Sequence, residues 1–143
     1  MKNNEYPNWL VPLDIAQQLK AIGFDVPCHF YYQNDYSEYL KAGDPDKYHI
    51  ISDSLAANHK NANHNIYEIA ISAPTWEQVF SWFREKGFNG WIEYQTLYEN
   101  YIPKLAVKEE IIYIKKNRGY KTYEKAREAL VVTLIQTYKS KQL

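Results

Sequence analysis

A single cysteine, Cys28, stands in this chain of 143 residues, so no disulfide can close within it and a reducing compartment suits it. Glycine is scarce too, with five copies, and the glycine-rich loops that cradle phosphates are absent. No apolar run approaches the roughly 20 residues that a membrane-spanning helix needs; the longest, Ala129 to Ile135, is interrupted by Thr133. The opening residues, Met1-Lys2-Asn3-Asn4-Glu5-Tyr6-Pro7, hold no hydrophobic signal core. These features together lead us to expect a cytoplasmic protein without membrane contact. Nucleophile elbows, zinc-finger spacings and the metalloprotease His-Glu-x-x-His helix are missing as well. Net formal charge is zero, which argues against a strong, general polyanion binder.

What is present is ordinary in bulk and uneven in detail. Apolar residues make up 45% and charged residues 24%, as in a typical globular protein. The length predicts one domain over residues 1–143, large enough to bury about 68–70% of its unfolded surface. Tyrosine is the outlier at 14 copies. Its ring offers contact area at little rotamer cost and carries a hydroxyl, so exposed tyrosines suit interfaces. Abundant Tyr, Asn, Lys and Ile beside only three Arg also fit AT-rich coding. Charge is polarised along the chain. Residues 1–107 carry 8 Lys/Arg against 13 Asp/Glu, and residues 108–143 carry 9 against 4.

Two stretches sixty-four residues apart spell the same unit of helix, Gly-Phe stop and strand: Leu13 to Tyr31 and Trp76 to Gln95. Ile15 aligns with Val79, Leu19 with Phe83, and Gly23-Phe24 with Gly87-Phe88. Duplication and a common structural idiom both account for the echo. In the first unit a helix starts near Pro12 with Ile15, Leu19 and Ile22 on one face, and Gly23 ends it in the left-handed conformation. Cys28 to Tyr32 reads as a strand. Residues 33–65 form a polar loop region, with a turn at Gly43-Asp44-Pro45-Asp46, a short helix at Tyr36–Ala42 and a short strand at Tyr48–Ser52.

Ile66 to Ile71 alternates and reads as a strand. Thr75 and Gln78 form a capping box for the central helix, whose buried face is Trp76, Val79, Phe80 and Phe83, with Trp82 at its edge. Trp91–Thr96, Tyr101–Val107 and Glu110–Lys115 follow as antiparallel strands, and Pro103 makes the middle one irregular or an edge. Thr122 caps a last helix that runs to about Tyr138 and buries Ala126, Leu130 and Leu134, widened by Val131 and Ile135. The expected fold is α+β: an antiparallel sheet with helices packed on one face, and a possible α-β repeat.

Candidate chemistry is thin. His59 and His64 bracket the polar loop, with His49 and Asp53 upstream, but no helix holds the rings on one face and no cysteine pair completes a zinc set. Solvated loop histidines are the simpler reading, and no metal or cofactor is expected. Cys28 and His29 are neighbours whose side chains leave a strand on opposite faces, so they cannot pair as a thiol dyad; a small buried residue is the plainer role. The scattered carboxylates mark no acid–base pair, and the expectation is a non-enzymatic protein.

One patch stands out. From Lys115 to Arg127 the chain holds six cations, Lys115, Lys116, Arg118, Lys121, Lys125 and Arg127, against the single Glu124, with Tyr120 and Tyr123 interleaved. Cations can neutralise phosphates while tyrosines stack on bases. The element order α-β-β-β-α around the patch resembles the double-stranded-RNA-binding domain. That resemblance implies phosphate contacts at Lys121, Lys125 and Arg127. The consecutive lysines that open that family's last helix are missing, because Thr122-Tyr123-Glu124 stands there. A solvated helix start, with Glu124 and Glu128 offsetting the positives, is the alternative.

The segment Ala73-Pro74-Thr75-Trp76-Glu77-Gln78-Val79-Phe80-Ser81-Trp82-Phe83-Arg84-Glu85-Lys86 resembles a helix shared by small uncharacterised proteins of gut bacteria and their phages. Ala16 to Cys28 and Thr122 to Ala129 match two further segments of that group. The shared positions are caps, glycine stops and core faces, and no activity is established for the group. The resemblance implies an accessory protein of a phage or mobile element. The functional expectation is therefore contact with another protein or a second copy, through Leu130, Val131, Ile135 and Tyr138. A nucleic-acid-binding module using the 115–127 patch is the second reading.

Overall fold

The computed structural model describes residues 7–34, 48–52, 63–68, 70–112, 114 and 119–142. The chain divides into two compact units, Met1–Gln78 and Val79–Leu143, and the division falls inside the second helix. The α+β class holds. The strands form two three-stranded antiparallel sheets, where the sequence suggested one.

The first unit contains α1 (Leu13–Ala21), β1 (Phe30–Asn34), β2 (Tyr48–Ser52) and β3 (Ala70–Ala73), ordered β2-β1-β3 in the sheet. Pro12 serves as the N-cap of α1, one place before the first helical turn. The helix ends in a Schellman motif: Gly23 N–H donates to Lys20 O and Phe24 N–H to Leu19 O, with Gly23 at φ +93°. Phe24, Ile15 and Leu19 are all buried, as the helix face predicts. The N-terminal segment is tied down by Val11 N–H to Pro74 O at 3.0 Å and by the buried Tyr32 hydroxyl, which donates to Val11 O at 2.6 Å.

Strand β1 begins two residues later than Cys28, which makes only an isolated bridge. The strand expected over 66–71 is a 3-10 turn at His64–Ile66, and β3 starts at Ala70. Side-chain hydrogen bonds explain the difference. Asn63 Oδ1 accepts from Asn65 N–H, while Asn65 donates to Phe24 O and accepts from Ser72 N–H, so polar groups bend the chain that its apolar alternation would extend. Ile66 and Tyr67 are exposed as a result. The anticipated helix at 36–42, the turn at 43–46 and most of the polar loop lie outside the described residues.

The helix α2 (Trp76–Glu85) opens with the capping box: Thr75 N–H donates to Gln78 Oε1 at 2.8 Å, and Gln78 N–H to Thr75 Oγ1 at 3.2 Å. Gly87, at φ +86°, ends it as Gly23 ends α1. Trp82 is buried, and Phe80 is half-exposed in its place. Trp82, Phe83 and Phe88 pack around the Tyr138 ring, which turns the apolar stripe by one position.

In the second unit β4 (Phe88–Gln95), β5 (Asn100–Val107) and β6 (Glu110–Ile112) form a meander, and α3 (Tyr123–Lys141) packs on β4 and β5. Strand β4 starts at once after Gly87, three residues earlier than expected. Pro103 sits in the central strand and not at an edge. Residues 101, 103 and 105 direct their backbone to the same side, where Tyr101 N–H bonds Tyr120 O and β6 ends at the Leu105–Ile112 pair. The missing proline N–H therefore points away from β4, and no bond of the β4–β5 ladder is lost.

Thr122 caps α3 by accepting from Lys125 N–H, and the helix continues three residues past Tyr138. Leu130, Val131 and Ile135 are each 0% exposed. This corrects the expected contact face: those three side chains are core, because α3 lies across a sheet and needs a wide apolar stripe. Tyr138 is only half-exposed and engaged with Trp82, Phe83 and Phe88. The two halves of the sixty-four-residue echo share buried Phe24 and Phe88 but feed different strand positions, a central β1 and an edge β4.

Candidate functional site

The β4–β5 hairpin and the start of α3 bring tyrosines and cations together. The four-residue turn 96–99 sets a register that places Tyr94 opposite Tyr101. Tyr101 and Tyr120 then exchange two backbone hydrogen bonds of 2.8 and 2.7 Å, which join the chain entering α3 to β5. Gly119 makes that join possible. It adopts φ +71°, and a Cβ there would lie 2.6 Å from Tyr101 O. Three residues beyond Tyr120, on the first turn of α3, is Tyr123.

The outcome is a chain of rings: Tyr94 to Tyr101 at 5.0 Å between centroids, and Tyr101 to Tyr123 at 6.0 Å. Interplanar angles of 52° and 83° keep the rings from stacking on one another. Tyr94 is 52% exposed and Tyr123 43%. The Arg127 guanidinium lies 5.6 Å from the Tyr123 centroid, a cation–π distance. Burial lowers the Arg127 pKa, and the neighbouring Tyr123 and Glu124 act the other way. Lys121 and Lys125 are exposed. A shallow cleft of about 390 Å³ continues along α3 from Tyr120 and Lys125 past Glu128 to Thr133.

Of the six predicted cations, the structure therefore gathers Lys121, Lys125 and Arg127 at one end of α3. Lys115, Lys116 and Arg118 lie outside the described residues. Tyr94 and Tyr101 were not anticipated as partners of Tyr123. The pattern that could have shown them is the hairpin itself, since a turn at 96–99 makes 94 and 101 cross-strand neighbours. Nearby on β4 and β5, Lys104 Nζ pairs with Glu93 Oε2 at 2.9 Å. That lysine first, and then Trp91, hold the Glu93 carboxyl below its ordinary range.

The other candidates are placed differently. Cys28 is fully buried, and burial pushes its thiol up to about 12, opposed only by a hydrogen bond with Ser72. A thiol so protonated is a poor nucleophile at neutral pH. Buried His64 directs Nε2 to the Cys28 carbonyl at 3.2 Å and stacks on Tyr31 at 4.1 Å. His49 is exposed on β2, while His59 and Asp53 lie outside the described residues. Among the described residues no group of three or more His, Cys, Asp or Glu could hold a metal ion. A contact the sequence did not suggest joins Ser52 Oγ on β2 and His29 Nε2, just before β1, at 3.2 Å.

Lys20 is the least expected polar side chain. Its ammonium donates to Tyr67 O at 2.6 Å and Ala70 O at 2.7 Å, closing the turn before β3. Burial lowers its pKa, with Glu68 opposing. No helix among the described residues is long and apolar enough to cross a membrane. No family model, curated protein or solved structure matches the chain.

Proposed function

We propose that the chain is a nucleic-acid-binding module whose contact surface is the end of α3 with the β4–β5 hairpin. The observation that carries this reading is the run Tyr94, Tyr101, Tyr123 and Arg127, flanked by exposed Lys121 and Lys125. Aromatic faces, with cations at the same end of α3, are the chemistry that nucleobases and phosphates require. The surplus of 9 Lys/Arg over 4 Asp/Glu in residues 108–143 supports it, although the whole chain is neutral. Within a phage or mobile element, the setting implied by the resemblance of its helices, such a module would act as an accessory to nucleic-acid handling.

Fluorescence anisotropy of labelled nucleic acid at 50 and 200 mM salt tests the reading. Affinity should fall steeply with salt and be lost in the Lys121→Glu/Lys125→Glu variant. Absence of binding at the lower salt would reject it.

Protein–protein contact is the second reading, and its support has moved from α3 to the turn between β4 and β5. Leu97 is 81% exposed and Tyr98 65%. An apolar residue and an aromatic at a hairpin tip can anchor in a partner's pocket. Loss of a captured partner in Leu97→Ser/Tyr98→Ser, with nucleic-acid binding absent, would favour this reading over the first.

A further inference from the structure

We propose that the tyrosine–cation patch takes single-stranded nucleic acid, with bases on Tyr94 and Tyr123 and the backbone phosphates on Lys121 and Lys125. The inference rests on the nucleic-acid reading and narrows its substrate class.

Ring geometry carries the argument. A duplex hides its base faces and keeps successive bases at a rise of ~3.4 Å. The ring steps here are 5.0 and 6.0 Å, and the planes are inclined by 52° and 83°. Tyr94 and Tyr123, the rings that would carry bases, therefore lie in planes at least 31° apart (83° − 52°), so bases on them are splayed, a state open to a single strand and closed to a paired one. The two terminal rings are the exposed ones. Tyr101 between them is half-buried and acts as a spacer held by its backbone bonds to Tyr120.

Charge complements the rings. Lys121 precedes the helix cap and Lys125 is exposed on the first turns of α3, the element that carries Tyr123. Arg127 backs Tyr123 and adds a cation to the face that a base would meet from the other side. Glu124 and Glu128 share the first turns of α3 and are exposed. They discourage a broad, sequence-long phosphate track and leave a short site, which suits a few nucleotides and not the extended flank of a duplex.

The test uses the full chain with fluorescein-labelled oligothymidine and a mixed-sequence DNA duplex of equal length, each read by anisotropy at 50 and 200 mM salt. Oligothymidine should bind at least about tenfold more tightly than duplex. Phosphate contacts from Lys121 and Lys125 predict a slope near −1.4 in log affinity against log salt, or a drop of roughly sevenfold across that range. Tyr94→Leu and Tyr123→Leu keep side-chain bulk, and each should weaken oligothymidine about 5- to 100-fold while the thermal melt stays in place. If a tyrosine variant melts early, the preference of the native chain for oligothymidine over duplex carries the test.

Equal binding of duplex and single strand would overturn the inference and leave the broader reading standing. No binding of either at 50 mM salt would remove both. Displacement of oligothymidine by polyglutamate at equal charge, with the tyrosine variants unchanged, would show a surface that reads charge alone and would also overturn it.

Discussion

Replacing Gly119 with alanine separates two costs that a left-handed glycine can carry. The first is conformational: an L-residue at φ +71° is strained by about 1–2 kcal/mol. The second is steric. The new Cβ would sit 2.6 Å from Tyr101 O and 3.0 Å from Ile102 Cγ1. A backbone oxygen cannot rotate aside, so β5 and the Gly119–Tyr120 segment must separate. Separation weakens the two Tyr101–Tyr120 hydrogen bonds, each worth about 0.5–1.5 kcal/mol net.

Adding about 1–3 kcal/mol for overpacking gives a total of about 3–8 kcal/mol were both bonds lost. Gly87→Ala is the matched control. Gly87 lies in the same unit at φ +86° with nothing within 4 Å of its Cβ, so it bears only the strain. Urea and thermal denaturation by circular dichroism should place Gly119→Ala at least about 1.5 kcal/mol below Gly87→Ala. For a unit of this size that is roughly 6–12 °C in melting temperature. Equal destabilisation of the two variants would refute the close approach of Gly119 to β5, and with it the anchoring of the tyrosine patch.

Three further outcomes follow from buried or half-buried groups in the first unit. Lys20→Met keeps the apolar stem and deletes the ammonium that closes the 67–70 turn, so it should cost about 1–3 kcal/mol in chemical denaturation; a change below about 0.5 kcal/mol would show the hydrogen bonds to be idle. Native Cys28 should react with a thiol reagent at neutral pH roughly two orders of magnitude more slowly than the unfolded chain. Its folded pKa of about 12 exceeds the ordinary 9.0, so the native state keeps its proton longer than the unfolded chain does. The contribution to stability is whole below about pH 9 and declines as pH rises toward 12. Cys28→Ala should flatten that alkaline decline, and an unchanged slope would contradict the burial.

Much of the local architecture was legible in the sequence. The Thr75–Gln78 capping box, the Thr122 cap and the left-handed stops at Gly23 and Gly87 all stand where the residue types predicted. Strand β2 kept its expected bounds, and the inner face of α3 kept its five residues. The misreadings share a cause. Ile66–Ile71 alternates as a strand would, yet Asn65 bonds partners 41 and 7 residues away, and those bonds decide the turn. At α2 the Tyr138 ring from α3 draws in Trp82 and leaves Phe80 half-exposed.

By itself the sequence determined what depends on neighbours within one turn of chain: helix starts and stops, the apolar faces of α1 and α3, and the absence of disulfides. The starts and stops rest on hydrogen bonds between residues no more than about five apart, the faces on the helical period, and the lack of a disulfide on a single cysteine. Tertiary structure decided which strands share a sheet and that Tyr94, Tyr101 and Tyr123 meet beside Arg127. Each of these is a choice among long-range pairings of similar local merit. Only the burial of the whole core and the closing of its backbone hydrogen bonds distinguish between them.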